Sequence, residues 1–328
     1  MYIVLACDNN FAPYCATTIA SIATNNSGVV FYLLTDNLNN SNAQLLESMT
    51  EQMGSRLNIV YVDKTMFADF PMPKQSGLSH ISLATYFRLF TPILLPKEID
   101  KIIYLDCDII VRHNIQELYN TNINDFYIGA VYHNDELSVY NGAFKRLNIP
   151  PSQGYFNAGV LLINLKKWRE DHIYDKCIEF LKKNRDNIVN HDQDVLNAVC
   201  GSKTKLLSYK WNTMNPFFME HSKFSKDRIM VNYQKEDKNN ITDPTIIHFA
   251  FRPKPWERIC VHPFAYEFKK YLSLTPYKGT PPKSNSMKDL VQYVVKPILL
   301  GFGRYTFIKV GKFKIFLGGL PMPKRYKQ

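Results

Sequence analysis

The order of apolar segments near the N-terminus restricts the fold more than any other feature of this sequence. Three short apolar runs alternate with two longer stretches that have helical spacing. The apolar runs are Tyr2–Cys7, Val29–Thr35 and Leu57–Val62, and the helical stretches are Phe11–Asn25 and Ser41–Gly54. This β-α-β-α-β order predicts a parallel sheet with right-handed crossover connections.

The alternation continues along the chain, so the sheet is expected to extend further. More strands are predicted at Lys101–Leu105, Phe126–Val131, Gly159–Asn164 and Ile246–Phe251, and more helices at Ser82–Leu89, Tyr174–Arg185 and Asp192–Val199. The fold class that follows is α/β, with a Rossmann-like, mostly parallel central sheet flanked by helices. Open sheets of this kind bind ligands at the carboxyl ends of their strands.

Positive charge is concentrated at the C-terminal end of the chain. The formal net charge is +11, and Lys283–Gln328 contains ten Lys and Arg residues against one acid, Asp289. This placement argues against a general nucleic-acid surface. Cations beside bulky apolar side chains suit an anionic membrane surface, so we predict a basic amphipathic tail that docks there. The alternative is a small basic subdomain packed on the core.

The cysteines and the N-terminus indicate a reduced compartment. Six cysteines are spread along the chain without a CxxC pair. Met1 leads directly into the first strand, without the basic and apolar regions of a signal peptide. Apolar runs stay below the roughly 18 residues needed to span a bilayer. We therefore expect a cytoplasmic protein, peripherally associated with the inner face of the plasma membrane.

Two carboxylates directly after the Lys101–Leu105 run are the sharpest local signal. Asp106 and Asp108 are two residues apart, so both can bind one hard divalent cation. A cation at this place can hold a diphosphate and neutralise the charge that develops on a departing nucleotide. The pattern alone is weakly specific, because any acidic turn can produce it.

Other polar clusters lie beside predicted strands or at predicted helix starts. Taken alone, each has a structural explanation: a capping loop for Asp8–Asn10, a favoured helix N-terminus for Asp192–Asp194, and a satisfied core residue for His248. Asn157–Gly159 directly precedes a predicted strand. His248 is followed by cations, among them Lys254, which suit a diphosphate.

Together these segments resemble glycosyltransferase family 8, the retaining GT-A group that includes bacterial lipopolysaccharide galactosyl- and glucosyltransferases. Six stretches match in the family's order and at its spacing. They are ACDNNF at Ala6–Phe11, HISLATYFRL at His80–Leu89, IIYLDCDIIV at Ile102–Val111, YFNAGVLLINLKKWR at Tyr155–Arg169, HDQDVLN at His191–Asn197 and HFAFRPKPW at His248–Trp256. The resemblance implies a GT-A domain over residues 1–258. The linker-like Pro281-Pro282 and the basic composition beyond it predict a connecting segment over 259–282 and a basic C-terminal appendage over 283–328.

The resemblance also implies roles for individual residues. The metal ligands would be Asp106, Asp108 and His248, a mixed oxygen and nitrogen set that favours Mn²⁺, with Mg²⁺ as the alternative. The donor would be UDP-glucose or UDP-galactose. Its nucleotide would contact Ala6, Asp8, Asn10, Asp106, Cys107 and Lys254, with Asp8 and Asn10 at the uridine and Lys254 at the diphosphate. The donor sugar would contact Arg88, Asn157, Asp192 and Gln193.

The implied reaction moves a hexose, with retention of configuration, to a hydroxyl of a glycan or lipid-linked acceptor. Lipopolysaccharide or another envelope saccharide is the expected acceptor. Asp192 would hold sugar hydroxyls, and Gln193 would lie near the anomeric carbon. An amide is a poor nucleophile, so we favour a same-face mechanism in which the departing phosphate accepts the acceptor's proton. Asp194 as a covalent nucleophile is the alternative.

Two other functions are compatible with parts of the sequence. A phosphatase of the haloacid dehalogenase type also places DxD after a strand, but normally near the chain start and with Thr or Val where Ile110 stands here. A non-enzymatic peripheral membrane protein would need only the basic tail. The metal-ligand set argues against that second reading.

The chain departs from the family pattern at one position. Similar enzymes usually have Gly in the loop after the histidine, where this chain has Phe251. Glycine permits close approach of the main chain to a phosphate. The detailed diphosphate contacts are therefore expected to differ here.

Overall fold

The computed structural model describes residues 1–67, 70, 83–132, 142–214, 243–260 and 262–290, together with the backbone of two strands further on. The strands are β1 (Tyr2–Ala6), β2 (Val30–Thr35), β3 (Arg56–Tyr61), β4 (Lys101–Leu105), β5 (Ile109–Val111), β6 (Ile128–Tyr132), β7 (Phe156–Asn164), β8 (Thr204–Leu206), β9 (Thr213–Met214), β10 (Ile246–His248), β11 (Tyr305–Val310) and β12 (Phe313–Gly318).

The helices lie between these strands. The α-helices are α1 (Ala12–Asn25), α2 (Asn40–Gln52), α3 (Thr91–Leu94), α4 (Gln116–Asn120), α5 (Ala143–Arg146), α6 (Leu165–Glu170), α7 (Ile173–Lys183), α8 (His191–Cys200), α9 (Ala265–Leu272) and α10 (Met287–Leu290). Short 3-10 helices include Asn9–Phe11, Leu83–Phe90 and Tyr209–Trp211. The helix predicted at Ser82–Leu89 is thus a 3-10 helix, and the first three residues of the HISLATYFRL match lie outside the described residues.

The central sheet confirms the expected architecture. Its strand order is β3-β2-β1-β4-β7-β6-β8. The first four strands are parallel, β7 is antiparallel to β4 and β6, and β8 is parallel to β6. A smaller sheet has the order β5-β10-β9, with β10 antiparallel to β5 and parallel to β9.

Apolar layers on both faces hold the central sheet in place. Ile19 of α1 packs on one face with Leu33 of β2, and Leu196 of α8 packs on the other with Tyr104 and Leu161. Burial of a strand on both faces explains why the sequence shows short apolar runs rather than alternation. The carboxyl ends of β1 and β4 are left to form a cavity.

The segment predicted to connect the domain to its tail carries a packed helix. Phe268 and Tyr271 of α9 belong to one apolar cluster with Tyr14 of α1 and Trp256. Further on, Lys283 N donates to Trp256 O at 2.8 Å. The α9 part of this segment therefore packs on the core.

The basic tail lies largely outside the described residues. In its described backbone, β11 and β12 pair as antiparallel strands, with Tyr305 opposite Gly318. The boundary at residue 283 and docking on a membrane stay predictions. The helices of the described part of the chain are all too short or too polar to cross a bilayer.

Candidate active site

Two strand pairings bring the DxD segment against other predicted motifs. The register of β4 with β7 continues as a 2.9 Å hydrogen bond from Asp106 N to Gly159 O. The register of β5 with β10 places His248 opposite Ile109, next to Asp108. Main-chain pairing therefore positions both carboxylates and the imidazole at one edge of the sheet.

The three predicted metal ligands lie together. One ligand atom each from Asp106, Asp108 and His248 lies within 4.8 Å of the other two. His248 Nε2 is 3.3 Å from Asp108 Oδ1 and 4.0 Å from Asp106 Oδ2. Asp108 Oδ1 is buried and accepts no hydrogen bond from the described residues. A buried carboxylate oxygen without a donor is costly, and a cation would satisfy it, so this donor set fits a divalent metal ion.

Gly159 provides the space for this cluster. A Cβ added at residue 159 would lie 2.3 Å from His248 Cε1 and 2.9 Å from Asp106 Oδ2. Any side chain here would displace at least one of the two ligands. Asn157–Gly159 was predicted to precede a strand, but it lies within β7, which already begins at Phe156.

Lys254 is the charge partner of Asp108. Its Nζ donates to Asp108 Oδ2 and to Phe249 O, both at 2.6 Å, and the residue is 6% exposed. Burial opposes ionisation of Asp108, but Lys254 and His248 outweigh it and hold the pKa of that carboxyl well below its usual range. Asp108 is therefore ionised, as a metal ligand must be.

Arg88 is a fixed cation between the metal-ligand cluster and Asp192. Its Nη2 donates to Asp106 Oδ1 at 2.8 Å, and its Nε lies 2.9 Å from Asp192 Oδ2. The guanidinium also lies 4.3 Å from the ring centroid of Tyr104. Burial alone would lower the pKa of Arg88, but the two carboxylates raise it above its ordinary value.

Asp192 is a buried carboxyl with an unusual environment. It is 4% exposed, and its Oδ1 accepts a hydrogen bond from Thr85 Oγ1. Burial raises the pKa of Asp192 to about 6 against the opposing effect of Arg88. Thr85 was not predicted as a site residue, because its contact with Asp192 joins segments that are 107 positions apart.

Gln193 and Asn157 are joined by their side-chain amides. Asn157 Nδ2 donates to Gln193 Oε1 at 3.2 Å, and Ala158 N donates to the same oxygen at 3.1 Å. Asn157 Oδ1 accepts from Asn212 Nδ2 at 2.9 Å. Asn212 was not predicted as a site residue, because a single Asn outside the matched stretches carries no chemical signal.

The side chains described above, apart from that of Asn212, line one cavity of about 420 Å³ at the carboxyl ends of β1 and β4. Ala6 and Cys107, both predicted nucleotide contacts, also line it, and Cys107 Sγ donates to Ala6 O at 3.3 Å. Aromatic side chains of Phe11 and Trp256 complete one wall. The volume is that of a typical small-molecule site.

Sequence comparison identifies the class of protein to which this cavity belongs. Residues 2–260 match the family model of glycosyl transferase family 8. The chain belongs to this family. It is 31% identical over 264 residues to a putative glycosyltransferase of Haemophilus influenzae, covering 80% of this chain and 74% of that protein. It is 28% identical over 291 residues to a lipopolysaccharide 1,2-glucosyltransferase of Escherichia coli K12, covering 87% of this chain and 81% of that protein.

A solved structure supports the same assignment for this family 8 glycosyltransferase. The galactosyltransferase LgtC, crystallised with donor and acceptor sugar analogues, superposes with a TM-score of 0.75 at 27% identity. The match covers 84% of this chain and 96% of LgtC. The GT-A fold is therefore confirmed, and family membership favours the glycosyltransferase over the phosphatase and the non-enzymatic protein.

Asp194 does not reach the cavity of this glycosyltransferase. It is 0% exposed, and its carboxylate accepts hydrogen bonds from Arg146 Nη1 at 2.7 Å and Tyr155 Oη at 2.6 Å. The main-chain N–H groups of Val189 and Asn190 donate to Asp194 Oδ2 at 2.7 and 2.8 Å. These contacts anchor the start of α8, so the structure argues against the predicted alternative of a covalent nucleophile at this residue.

Two predicted uridine contacts have local structural roles. Asp8 Oδ1 accepts from Asn10 N at 2.9 Å and from Phe11 N at 3.1 Å, and so caps the 3-10 helix at Asn9–Phe11. Asn10 is exposed, and neither Asp8 nor Asn10 is among the residues that line the cavity. Their contact with a uridine stays a prediction.

Phe251 lies where the family pattern led us to expect a difference. It is partly exposed and is among the residues that line the cavity, as is Lys254. An aromatic ring therefore forms part of the wall in the loop where similar enzymes usually have glycine.

Proposed function

We propose that this glycosyltransferase is a retaining hexosyltransferase that uses a divalent metal ion and a UDP-sugar, UDP-glucose or UDP-galactose. The observation that carries the proposal is the convergence of Asp106, Asp108 and His248 within 4.8 Å, in a cavity that Lys254 also lines. Similar proteins are named as a glucosyltransferase and a galactosyltransferase. The mixed carboxylate and imidazole ligands favour Mn²⁺, with Mg²⁺ as the alternative.

The nucleotide would bind at the cation end of the cavity, which we define as Asp106, Asp108, His248 and Lys254. A bound cation would neutralise negative charge on the departing diphosphate. Lys254 Nζ is held by Asp108 and Phe249 O beside the metal ligands, so it would also contact a phosphate oxygen. The nucleotide would further contact Ala6 and Cys107 and, as predicted from the family, Asp8 and Asn10.

The donor sugar would bind at the sugar end of the cavity, which we define as Arg88, Asn157, Asp192 and Gln193. With a pKa of about 6, Asp192 is mostly ionised at neutral pH and can accept hydrogen bonds from sugar hydroxyls. Gln193 would lie near the anomeric carbon and act there through its amide dipole. In this arrangement the acceptor hydroxyl attacks from the face that UDP leaves, and the departing phosphate accepts its proton.

The acceptor would be a lipid-linked glycan at the inner face of the plasma membrane, such as lipopolysaccharide or another envelope saccharide. A similar protein acts by name on lipopolysaccharide. The ten cations of residues 283–328 would hold the enzyme at an anionic surface. Vesicles that contain phosphatidylglycerol should bind the full chain, and binding should weaken as salt is raised. Equal binding to neutral vesicles would contradict this part of the proposal.

A panel of UDP-sugars tests the reaction itself. The purified chain is incubated with each donor, in Mn²⁺ or in EDTA, and released UDP is measured. We expect metal-dependent release from one hexose donor, lost in Asp106→Ala and kept in the exposed-carboxylate control Asp125→Ala. Release that is equal in Mn²⁺ and EDTA, or unchanged in Asp106→Ala, would contradict the proposal.

A further inference from the structure

A buried chain of hydrogen bonds joins the two ends of the cavity through Asn212. The Asn212 side chain is 0% exposed. Its Oδ1 lies 2.9 Å from His248 Nδ1, and its Nδ2 donates to Asn157 Oδ1 at 2.9 Å. Asn157 Nδ2 then donates to Gln193 Oε1. One residue thus connects the imidazole of the cation end with the amides of the sugar end.

Two main-chain N–H groups determine how the side-chain amides in this series of hydrogen bonds are oriented. Gly159 N donates to the Asn157 side chain at 2.9 Å, so the atom it meets must be the oxygen. Ala158 N donates to the Gln193 side chain, so the Gln193 atom that it meets must be the oxygen. The atom of Asn157 that contacts this same oxygen must then be the nitrogen. The oxygen of Asn157 then faces Asn212. Two oxygens would repel each other, so Asn212 turns its NH₂ group toward Asn157.

The orientation of these side-chain amides determines the tautomer of His248. With Nδ2 bound to Asn157, Asn212 presents Oδ1 to the imidazole, so His248 Nδ1 must carry the proton. In the neutral imidazole, Nε2 then keeps the lone pair that a cation needs, and it lies 3.3 Å from Asp108 Oδ1 and 4.0 Å from Asp106 Oδ2. A metal-binding histidine requires this arrangement, because its other ring N–H needs a fixed acceptor.

We propose that Asn212 is a positioning residue that fixes the His248 tautomer for cation binding and orients Asn157 and Gln193 at the sugar end. The inference rests on the proposed function, since it requires a cation at Asp106, Asp108 and His248. Without the Asn212 side chain, His248 Nδ1 loses the acceptor that holds the ring. The expected loss of Mn²⁺ affinity is roughly 10–100-fold.

Two substitutions separate the two halves of this role. Asn212→Ala removes both hydrogen bonds. Asn212→Asp keeps an acceptor for His248 Nδ1 but lacks the NH₂ group that donates to Asn157. Calorimetric titration of the nucleotide-free protein with Mn²⁺ should therefore show the roughly 10–100-fold loss in Asn212→Ala and affinity equal to or above wild type in Asn212→Asp. Both variants should lose turnover of the donor.

Asn26 is a matched control. It is also a buried Asn bonded at both ends of its amide: Nδ2 donates to Ile22 O at 3.0 Å, and Oδ1 accepts from Ile115 N at 2.8 Å. Asn26→Ala should lower the midpoint of thermal unfolding and leave Mn²⁺ affinity unchanged. A loss of Mn²⁺ affinity in this control equal to that in Asn212→Ala would show a general packing effect and overturn the inference.

The same titrations distinguish failure of the inference from failure of the proposed function. If the wild type binds no Mn²⁺, or if Asp106→Ala binds it equally well, the proposed cation site is wrong. If the wild type binds and Asn212→Ala binds equally well, only the role of Asn212 is overturned. Should Asn212→Ala not fold, the comparison of Asn212→Asp with wild type decides, and weaker Mn²⁺ binding by tenfold or more would overturn the inference.

Discussion

The cation end and the sugar end of the cavity are held by different kinds of interaction. At the cation end, main-chain registers of β4 with β7 and of β5 with β10 place the ligands. At the sugar end, side chains from other elements orient the first turn of α8: Thr85 and Arg88 hold Asp192, Asn157 contacts Gln193, and Arg146 pairs with Asp194. Substitution of the metal ligands should therefore affect chemistry, whereas substitution of the residues that anchor the first turn of α8 should affect stability.

Replacement of Asp194 should have the largest effect and should act on stability. Asp194→Ala removes a buried carboxylate that accepts from Arg146, Tyr155 and two main-chain N–H groups, so we expect the free energy of unfolding to fall by about 3–5 kcal/mol. Urea denaturation measures it. The control Glu179→Ala removes an exposed pair with Lys183 and should change little. Full stability with abolished activity would instead favour a chemical role for Asp194.

Replacement of Asp108 should act on chemistry at the cation end. Asp108→Ala removes one metal ligand, whereas the strand registers that position this loop are formed by the main chain. We expect donor turnover to fall on the order of 10²–10³-fold, which corresponds to several kcal/mol of electrostatic stabilisation. Turnover assays across a range of Mn²⁺ concentrations measure this loss. Wild-type turnover in the variant would contradict a metal-ligand role for Asp108.

Gly159 tests whether the strand register alone suffices at the cation end. In Gly159→Ala, the new Cβ would meet His248 and Asp106, so Mn²⁺ affinity should fall roughly 10–100-fold even though the strand pairing persists. Gly129→Ala on β6 is the matched control, because the atoms nearest to its Cβ would belong to the side chain of Leu207, at 3.2 Å or more. Unchanged Mn²⁺ affinity in Gly159→Ala would contradict the described packing.

The smallest expected effect is the pH dependence of activity that protonation of Asp192 causes at the sugar end. If its ionised form binds the donor sugar, kcat/KM should fall by about tenfold per pH unit well below pH 6, because the carboxyl becomes protonated there. The native carboxyl also binds its proton more tightly than the unfolded one, so the free energy of unfolding should decrease as pH rises from about 4 to 6. A flat kcat/KM profile between pH 5 and 7 would contradict this role.

The sequence predicted the cation end better than the sugar end for a physical reason. Asp106 and Asp108 directly follow a predicted strand, so local spacing suffices to bring these two carboxylates together, and His248 as the third ligand came from the resemblance to the family. The resemblance to the family supplied Asp192 and Gln193. Acids at a helix start look alike in sequence, and only the tertiary partners show that Asp192 lines the cavity while Asp194 anchors the helix.

Residues that act through others could not be predicted from one sequence. Thr85 and Asn212 become visible only when distant elements meet, since each contacts residues more than 30 positions away. The start of β7 was placed too late for a related reason. Asn157 and Gly159 are typical of turns, but here they stand within a strand, where Gly159 leaves room for the metal ligands.

Calorimetric titration of the wild-type chain with UDP, in Mn²⁺ and in EDTA, tests the central claim most directly. If a cation at Asp106, Asp108 and His248 bridges the protein to the diphosphate, UDP should bind at least roughly tenfold more tightly in Mn²⁺ than in EDTA, and Asp106→Ala should abolish the difference. Equal affinity in Mn²⁺ and EDTA, or no UDP binding under either condition, would contradict a metal-dependent UDP-sugar transferase.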